Sequence, residues 1–228
     1  MDEPTIRVTK DGPYHARGVP VRRARIVTDE ERRSVGWEVD EPLTQGEPVR
    51  LCRCGRSSTK PFCDSSHLEG FDGTETADLG PTDSRREGYE GPRVVITDDE
   101  VLCVHARFCT STDPDVWTAA VEAGTDDEVQ AAWTTVVRCP SGRLVLVDPH
   151  AGELEADYEP EVLVVDDGPY WVRGGVPVQA VDGHTWEVRN RVTLCRCGHS
   201  GNKPFCDGTH SAVGFRDRAP ATTEPSAT

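Results

Sequence analysis

Apolar residues along this chain gather in short β-prone runs, punctuated by Gly, Pro and Asp. The runs at 6–9, 19–26 and 49–52 near the N-terminus predict strands, as do 161–165, 170–173, 185–189 and 192–195 toward the C-terminus. Between them, 93–97, 101–104 and 144–147 read as further short strands. One stretch keeps a different period. Val129, Ala132, Trp133, Val136 and Val137 fall on one stripe of a helix, introduced by Thr125 and Glu128 as a capping box and ended at Cys139-Pro140. Residues 76–92 are polar and Gly-rich and read as a linker, while 219–228 are rich in Pro, Ser, Thr and Ala and are expected to be disordered. The expected fold class is α+β, mainly β.

The runs repeat. Gly12-Pro13-Tyr14, Gly18-Val19-Pro20-Val21, Trp37-Glu38-Val39 and Leu51-Cys52-Arg53-Cys54-Gly55 recur in the same order. Their counterparts are Gly168-Pro169-Tyr170, Gly175-Val176-Pro177-Val178, Trp186-Glu187-Val188 and Leu194-Cys195-Arg196-Cys197-Gly198. This is a duplicated module whose first copy carries a charged surface insertion over 28–34. Each copy alone has too little apolar surface for a core, so the two are expected to pack on each other.

Composition sharpens this. Hydrophobic residues make up 36% and aromatics 6% of the 228 residues, a polar, loop-rich chain that needs staples. Nine cysteines are the obvious ones. No signal peptide is recognised in Met1-Asp2-Glu3-Pro4, and the longest apolar runs, of about five residues, fall far short of a membrane span. A cytoplasmic location with reduced thiols follows, where clustered cysteines bind metal more often than they pair. A net charge of −15 argues against a nucleic-acid partner and suits solubility or a basic protein partner. No Walker loop, G-x-G-x-x-G or nucleophile elbow is present, and no catalytic residue is assigned.

The cysteines carry the chemistry. Cys52, Cys54, Cys63 and His67 share their spacing with Cys195, Cys197, Cys206 and His210: C-x-C, eight residues, Cys, three residues, His. Soft thiolates select zinc, copper(I) or iron–sulfur clusters, and imidazole suits iron as well. Two irons need two ligands each, and the spacing divides into a Cys–Cys pair and a Cys–His pair. Zinc also takes three Cys and one His but usually through C-x2-C. Asp64 and Asp207 stand where a helix can begin and are expected to cap it. Arg53 and Arg196, between ligands, add positive charge. His15, His150 and His184 read as surface residues, and His199 aligns with Arg56 rather than with a ligand.

Both motifs resemble the CDGSH iron–sulfur domain of the NEET family, C-x-C-x2-[S/T]-x3-P-x-C-D-G-[S/A/T]-H. The second copy matches throughout; the first has Ser65 in place of glycine. The resemblance implies a [2Fe–2S] cluster on each Cys3His set, a β-cap with a cluster lobe, and two domains paired about a twofold axis, here as a pseudo-dimer in one chain.

The middle segment has Cys103, His105 and Cys109, followed by Cys139-Pro140-Ser141-Gly142. It resembles divergent mono-cluster ferredoxin-like domains. Three thiolates hold a [3Fe–4S] cluster, or [4Fe–4S] if His105, water or a partner supplies a fourth bond. The bland alternative is three core cysteines. The resulting organisation is a first CDGSH-type domain over 1–75, the linker 76–92, a ferredoxin-like domain over 93–157 and a second CDGSH-type domain over 158–218. The expected role is electron carriage by a monomer with an internal pseudo-twofold, between a reductase and an acceptor oxidoreductase. Cluster storage, transfer to apo acceptors, redox sensing and a structural zinc module are the alternatives.

Overall fold

The computed structural model describes residues 3–43 and 47–217, so the tail 219–228 lies outside it. The first repeat supplies β1 (Thr5–Val8), β2 (Tyr14–Arg17), β3 (Val21–Thr28), β4 (Ser34–Pro42) and β5 (Val49–Leu51). The middle segment supplies β6 (Glu87–Glu90), β7 (Val95–Asp98), α1 (Val116–Glu122), α2 (Asp126–Val136), β8 (Leu144–Asp148) and β9 (Gly152–Leu154). The second repeat supplies β10 (Glu161–Val165), β11 (Tyr170–Arg173), β12 (Val178–Gln179), β13 (Arg191–Leu194) and α3 (Thr209–Ala212). The fold is α+β and mainly β.

The repeats are interleaved. One sheet runs β12-β1-β2-β5, the other β13-β11-β10-β3-β4. In each, a hairpin of one repeat receives a parallel strand from the other, with Ile6 beside Val178 and Val162 beside Val21. The recurring Gly-Val-Pro-Val block is where the chain crosses over. Pro177 and Pro20, which lack an N–H, offer their carbonyls to the amides of Ile6 (2.9 Å) and Val162 (3.0 Å). One core fills the space between the sheets. It takes Ile6, Val8 and Tyr14 from the first repeat and Val162, Val164, Tyr170, Val172 and Trp186 from the second. The pseudo-dimer is thus built on a shared core that neither copy has alone.

The two sheets differ in what covers them. β1 alternates, burying Ile6 and Val8 and turning Arg7 outward. β10, Glu-Val-Leu-Val-Val, is buried along its whole length. Its second face, with Leu163 and Val165, packs with Trp171 of β11 and with Ala24, Trp37, Val39 and Tyr158.

The middle segment forms an antiparallel sheet, β6-β7-β8-β9, whose core holds Ile96 and Leu146 with Val116 and Ala120 of α1 and Ala132 and Val136 of α2. α2 begins with the expected capping box of Thr125 and Glu128. β6 lies within the stretch read as linker and pairs with β7.

Other segments also depart from the sequence reading. Residues 101–104 are not a strand. A 3-10 turn, Glu100–Leu102, closes there with the Leu102 amide on the Asp99 carbonyl, and it turns the chain to present Cys103. Residues 185–189 form only one bridge, Thr185 to Gln179, because Trp186 is buried while Glu187 is drawn aside to Thr82. The insertion at 28–34 is not merely a surface loop. It is the tip of the β3–β4 hairpin, and Ser34 and Trp37 anchor it to the middle segment, Ser34 Oγ on the Ala106 carbonyl (2.8 Å) and Trp37 Nε1 on the Arg138 carbonyl (3.0 Å).

Candidate metal centres

Each Cys3His loop is built the same way. Cys52 leaves the end of β5, and its amide donates to the Pro61 carbonyl (2.8 Å) while the Cys63 amide returns to Arg50 (2.9 Å). At the second site the Cys195 amide meets Pro204 (2.8 Å) and the Cys206 amide meets Thr193 (2.9 Å). Ser57 and Ser200 tie the loops by donating to the carbonyls of Phe62 (2.6 Å) and Phe205 (2.7 Å). This explains the recurring Ser and Phe of the motifs: they fold a long loop back along the strand that carries the first cysteine.

The loop leaves the donors in pairs. Cys52 and Cys54 Sγ stand 3.8 Å apart, as do Cys195 and Cys197. Cys63 Sγ faces His67 Nδ1 at 3.4 Å and Cys206 Sγ faces His210 Nδ1 at 3.3 Å. All nine cysteines are free thiols. Two irons sharing a cluster need this pairwise arrangement.

Asp64 and Asp207 brace the second pair, one residue earlier than a cap. Asp64 accepts from the amides of Ser66 (3.0 Å) and Ser58 (2.8 Å), Asp207 from those of Thr209 (3.0 Å) and Gly201 (2.7 Å). The Ser66 hydroxyl, which also donates to Asp64, together with these amides holds the Asp64 carboxyl well below its ordinary range. Arg53 and Arg196 turn inward rather than toward the donors. Arg53 donates to the carbonyls of Thr9 (3.3 Å) and Gly73 (2.7 Å) beneath Tyr14 and Phe71. Arg196 holds Gly168 (2.9 Å), Val165 (3.0 Å) and the carboxylate of Asp217, a side chain with no exposure. His199 Nδ1 lies against the Cys197 carbonyl, its own loop's backbone.

Sequence reasoning missed the tyrosines of the Gly-Pro-Tyr block. Tyr14 donates across the pseudo-twofold to the carbonyls of Cys195 (2.9 Å) and Pro204 (3.0 Å). Tyr170 does the same to Cys52 (2.8 Å) and Pro61 (2.9 Å). Each repeat therefore holds the other's donor loop. The signal was the recurrence of Tyr beside Gly-Pro at a fixed distance from the cysteines. Gly55 and Gly198 also meet at this axis. Both have positive φ, and a β-carbon on either would run into the carbonyl of Cys197 or Cys54, respectively.

Acidities follow from this packing. In each C-x-C pair the sulfur–sulfur hydrogen bond holds one thiol down and its neighbour up. Burial pushes Cys206 up and His210 down, with the charge of nearby His105 adding to the latter. A neutral His210 is the ligating form. Among the histidines read as surface residues, His150 is exposed while His15 and His184 are half-buried, His184 beside Asp182 and Trp186.

In the middle segment Cys103 follows its 3-10 turn, Cys109 sits in the turn Phe108–Thr110, and Cys139 follows α2. The three line one pocket with Phe108, Arg143 and Leu144. Burial and the neighbouring thiols push Cys109 up to about 11. His105 Nδ1 is 3.8 Å from Cys103 Sγ.

Two protein-family models match the chain. The model described as "Iron-binding zinc finger CDGSH type" matches residues 11–68 and 167–211, and that described as "Divergent 4Fe-4S mono-cluster" matches 89–149. No curated protein matches the chain. Iron–sulfur cluster binding is what the matched models support, and two segments that match the CDGSH-type model flank one that matches the divergent 4Fe–4S mono-cluster model.

Proposed function

We propose that this chain is an electron carrier and not an enzyme. It would hold one [2Fe–2S] cluster on Cys52, Cys54, Cys63 and His67 and another on Cys195, Cys197, Cys206 and His210. A third cluster, [3Fe–4S] or [4Fe–4S], would use Cys103, Cys109 and Cys139. The observation that carries this is the pairing of donors, Cys–Cys at 3.8 Å and Cys–His at 3.3 to 3.4 Å. One metal ion would draw four donors to a single centre; two irons want two pairs. When bound, the clusters supply one-electron chemistry, and the protein sets potential through ligand identity, hydrogen bonding and burial. The thiolates require a reducing compartment, which favours the cytoplasm. The partners are then a one-electron donor and an acceptor oxidoreductase.

Iron and acid-labile sulfide on anaerobically purified protein test the proposal. Two loaded repeats give about four irons, and the third cluster raises this to about seven or eight. Stoichiometric zinc in a colourless protein would overturn it. Cluster delivery is the second reading, favoured by the half-exposed Cys63 and His67 of the first site. Transfer of that cluster to an apo acceptor, faster than its reoxidation by a redox partner, would favour delivery over electron carriage.

A further inference from the structure

The two Cys3His motifs match in sequence but not in surroundings. Gly208, between Cys206 and His210, has φ +84°, and a β-carbon there would lie 2.5 Å from His105 Cδ2, 2.8 Å from its Nε2 and 2.9 Å from the Cys103 carbonyl oxygen. Ser65 holds the same place in the first motif with φ +77° and is exposed. The turn itself thus tolerates a β-carbon. The contact with the middle segment is what excludes one at Gly208.

Other contacts fix the same docking. Arg191, on the strand leading to Cys195, donates to the carbonyls of Val136 (2.8 Å), Cys139 (2.7 Å) and Leu144 (3.0 Å). Arg189 reaches Ser141 (3.1 Å). Ser34 and Trp37, anchored to the cysteine loop and to the end of α2, hold it from the other side. Cys206 and His210 are consequently buried, while Cys63 and His67 stay half-exposed. The first and second loops in turn abut through Gly55 and Gly198.

We propose that the His105–Gly208 contact is the electronic junction between the middle site and the second repeat, so that the three sites are coupled in the order middle, second, first. The inference rests on the cluster assignment proposed above. His105 acts as a positioning residue that holds the Cys103 loop against the Cys206–His210 turn. The transfer moves one electron. The site that gives it up is oxidised by one unit and the site that takes it is reduced by one. No bond forms or breaks and no proton moves. The electron enters from a one-electron donor protein, for which dithionite substitutes in the test.

The test uses the full chain, purified anaerobically and reduced with dithionite, and reads microwave power saturation of its electron paramagnetic resonance signals. His67→Cys and His210→Cys each shift one [2Fe–2S] signal and so assign the pair. The second-site signal should saturate at several-fold higher power than the first, because a paramagnetic neighbour speeds its relaxation. Cys103→Ser should abolish that difference and leave the first-site signal unchanged. Gly208→Ala should do the same with the iron content of wild type, whereas Ser65→Gly should change nothing. If Gly208→Ala fails to fold, Cys103→Ser still decides the matter. Equal enhancement of both signals, enhancement of the first alone, or two [2Fe–2S] signals without a third paramagnetic centre would overturn the junction and leave the Cys3His assignment standing. Absence of any [2Fe–2S] signal would overturn the assignment itself.

Discussion

His67 and His210 occupy equivalent places in two copies of one motif, yet they meet water differently. His67 is half-exposed, so a proton reaches its ring directly. His210 is 9% exposed, and burial together with the facing His105 pushes its pKa below the ordinary histidine value. A depressed pKa keeps the ring neutral, and protonation competes with iron only as pH falls further. Acid bleaching should therefore occur in two phases as pH is lowered from neutrality, with the first site lost at the higher pH. His67→Cys should slow only the early phase. Simultaneous loss of both visible signals would refute this. The tyrosines make a second prediction at this scale. Tyr14 belongs to the first repeat but donates to carbonyls of the second donor loop. Tyr14→Phe takes the donor from the buried Cys195 carbonyl, while Pro204 keeps the Cys195 amide, at a cost of about 1–3 kcal/mol. The second site, not the first, should lose iron faster to a chelator, and Tyr170→Phe should reverse the assignment.

Among the elements, what the sequence displayed depended on how locally each one is determined. α2 was legible to within a residue because its cap, Thr125 with Glu128, and its apolar stripe are local. β10 and β11 were legible to the residue because β-branched and aromatic runs end at Gly and Asp. The donor set was readable because its spacing recurs. The strand exchange was not readable, since Val21 and Val178 look the same whether they pair at home or across the axis. Nor was the role of β13: Arg191 in a strand reads as a solvent-facing charge, yet it is 1% exposed and ties three carbonyls and Glu155. This residue stitches the middle module to the strand that delivers Cys195. Arg191→Ala takes the guanidinium from Glu155, leaving it only Asn190, and removes one donor from each of those carbonyls, and breaking such a buried network costs about 3–5 kcal/mol. The expected outcome is early melting of the middle module, read as loss of helix signal by circular dichroism. An unchanged thermal profile would mean that the network adds nothing to the docking.

At the scale of the whole molecule, burial and charge together decide where electrons leave. The middle module covers the second site, while the first keeps Cys63 and His67 half-exposed beside Leu68, which is 79% exposed. Of the two Cys3His sites, the first should therefore exchange electrons with an outside reagent more readily. The chain as a whole carries a net charge of −15, and such a net charge concentrates cations and repels anions within about 8–10 Å of the surface at physiological salt. A cationic oxidant such as a cobalt hexaammine should reoxidise the reduced protein faster than ferricyanide does, driving force allowed for. The ratio should shrink as salt is raised, because only the steering is screened. In stopped-flow traces the first-site spectrum should change before the second in either reagent, since exposure rather than charge sets the order. Equal rates at both sites would show that the middle module does not shield the second. A salt-independent ratio would show that the acidic surface takes no part in recognition, and a basic redox partner would lose its rationale.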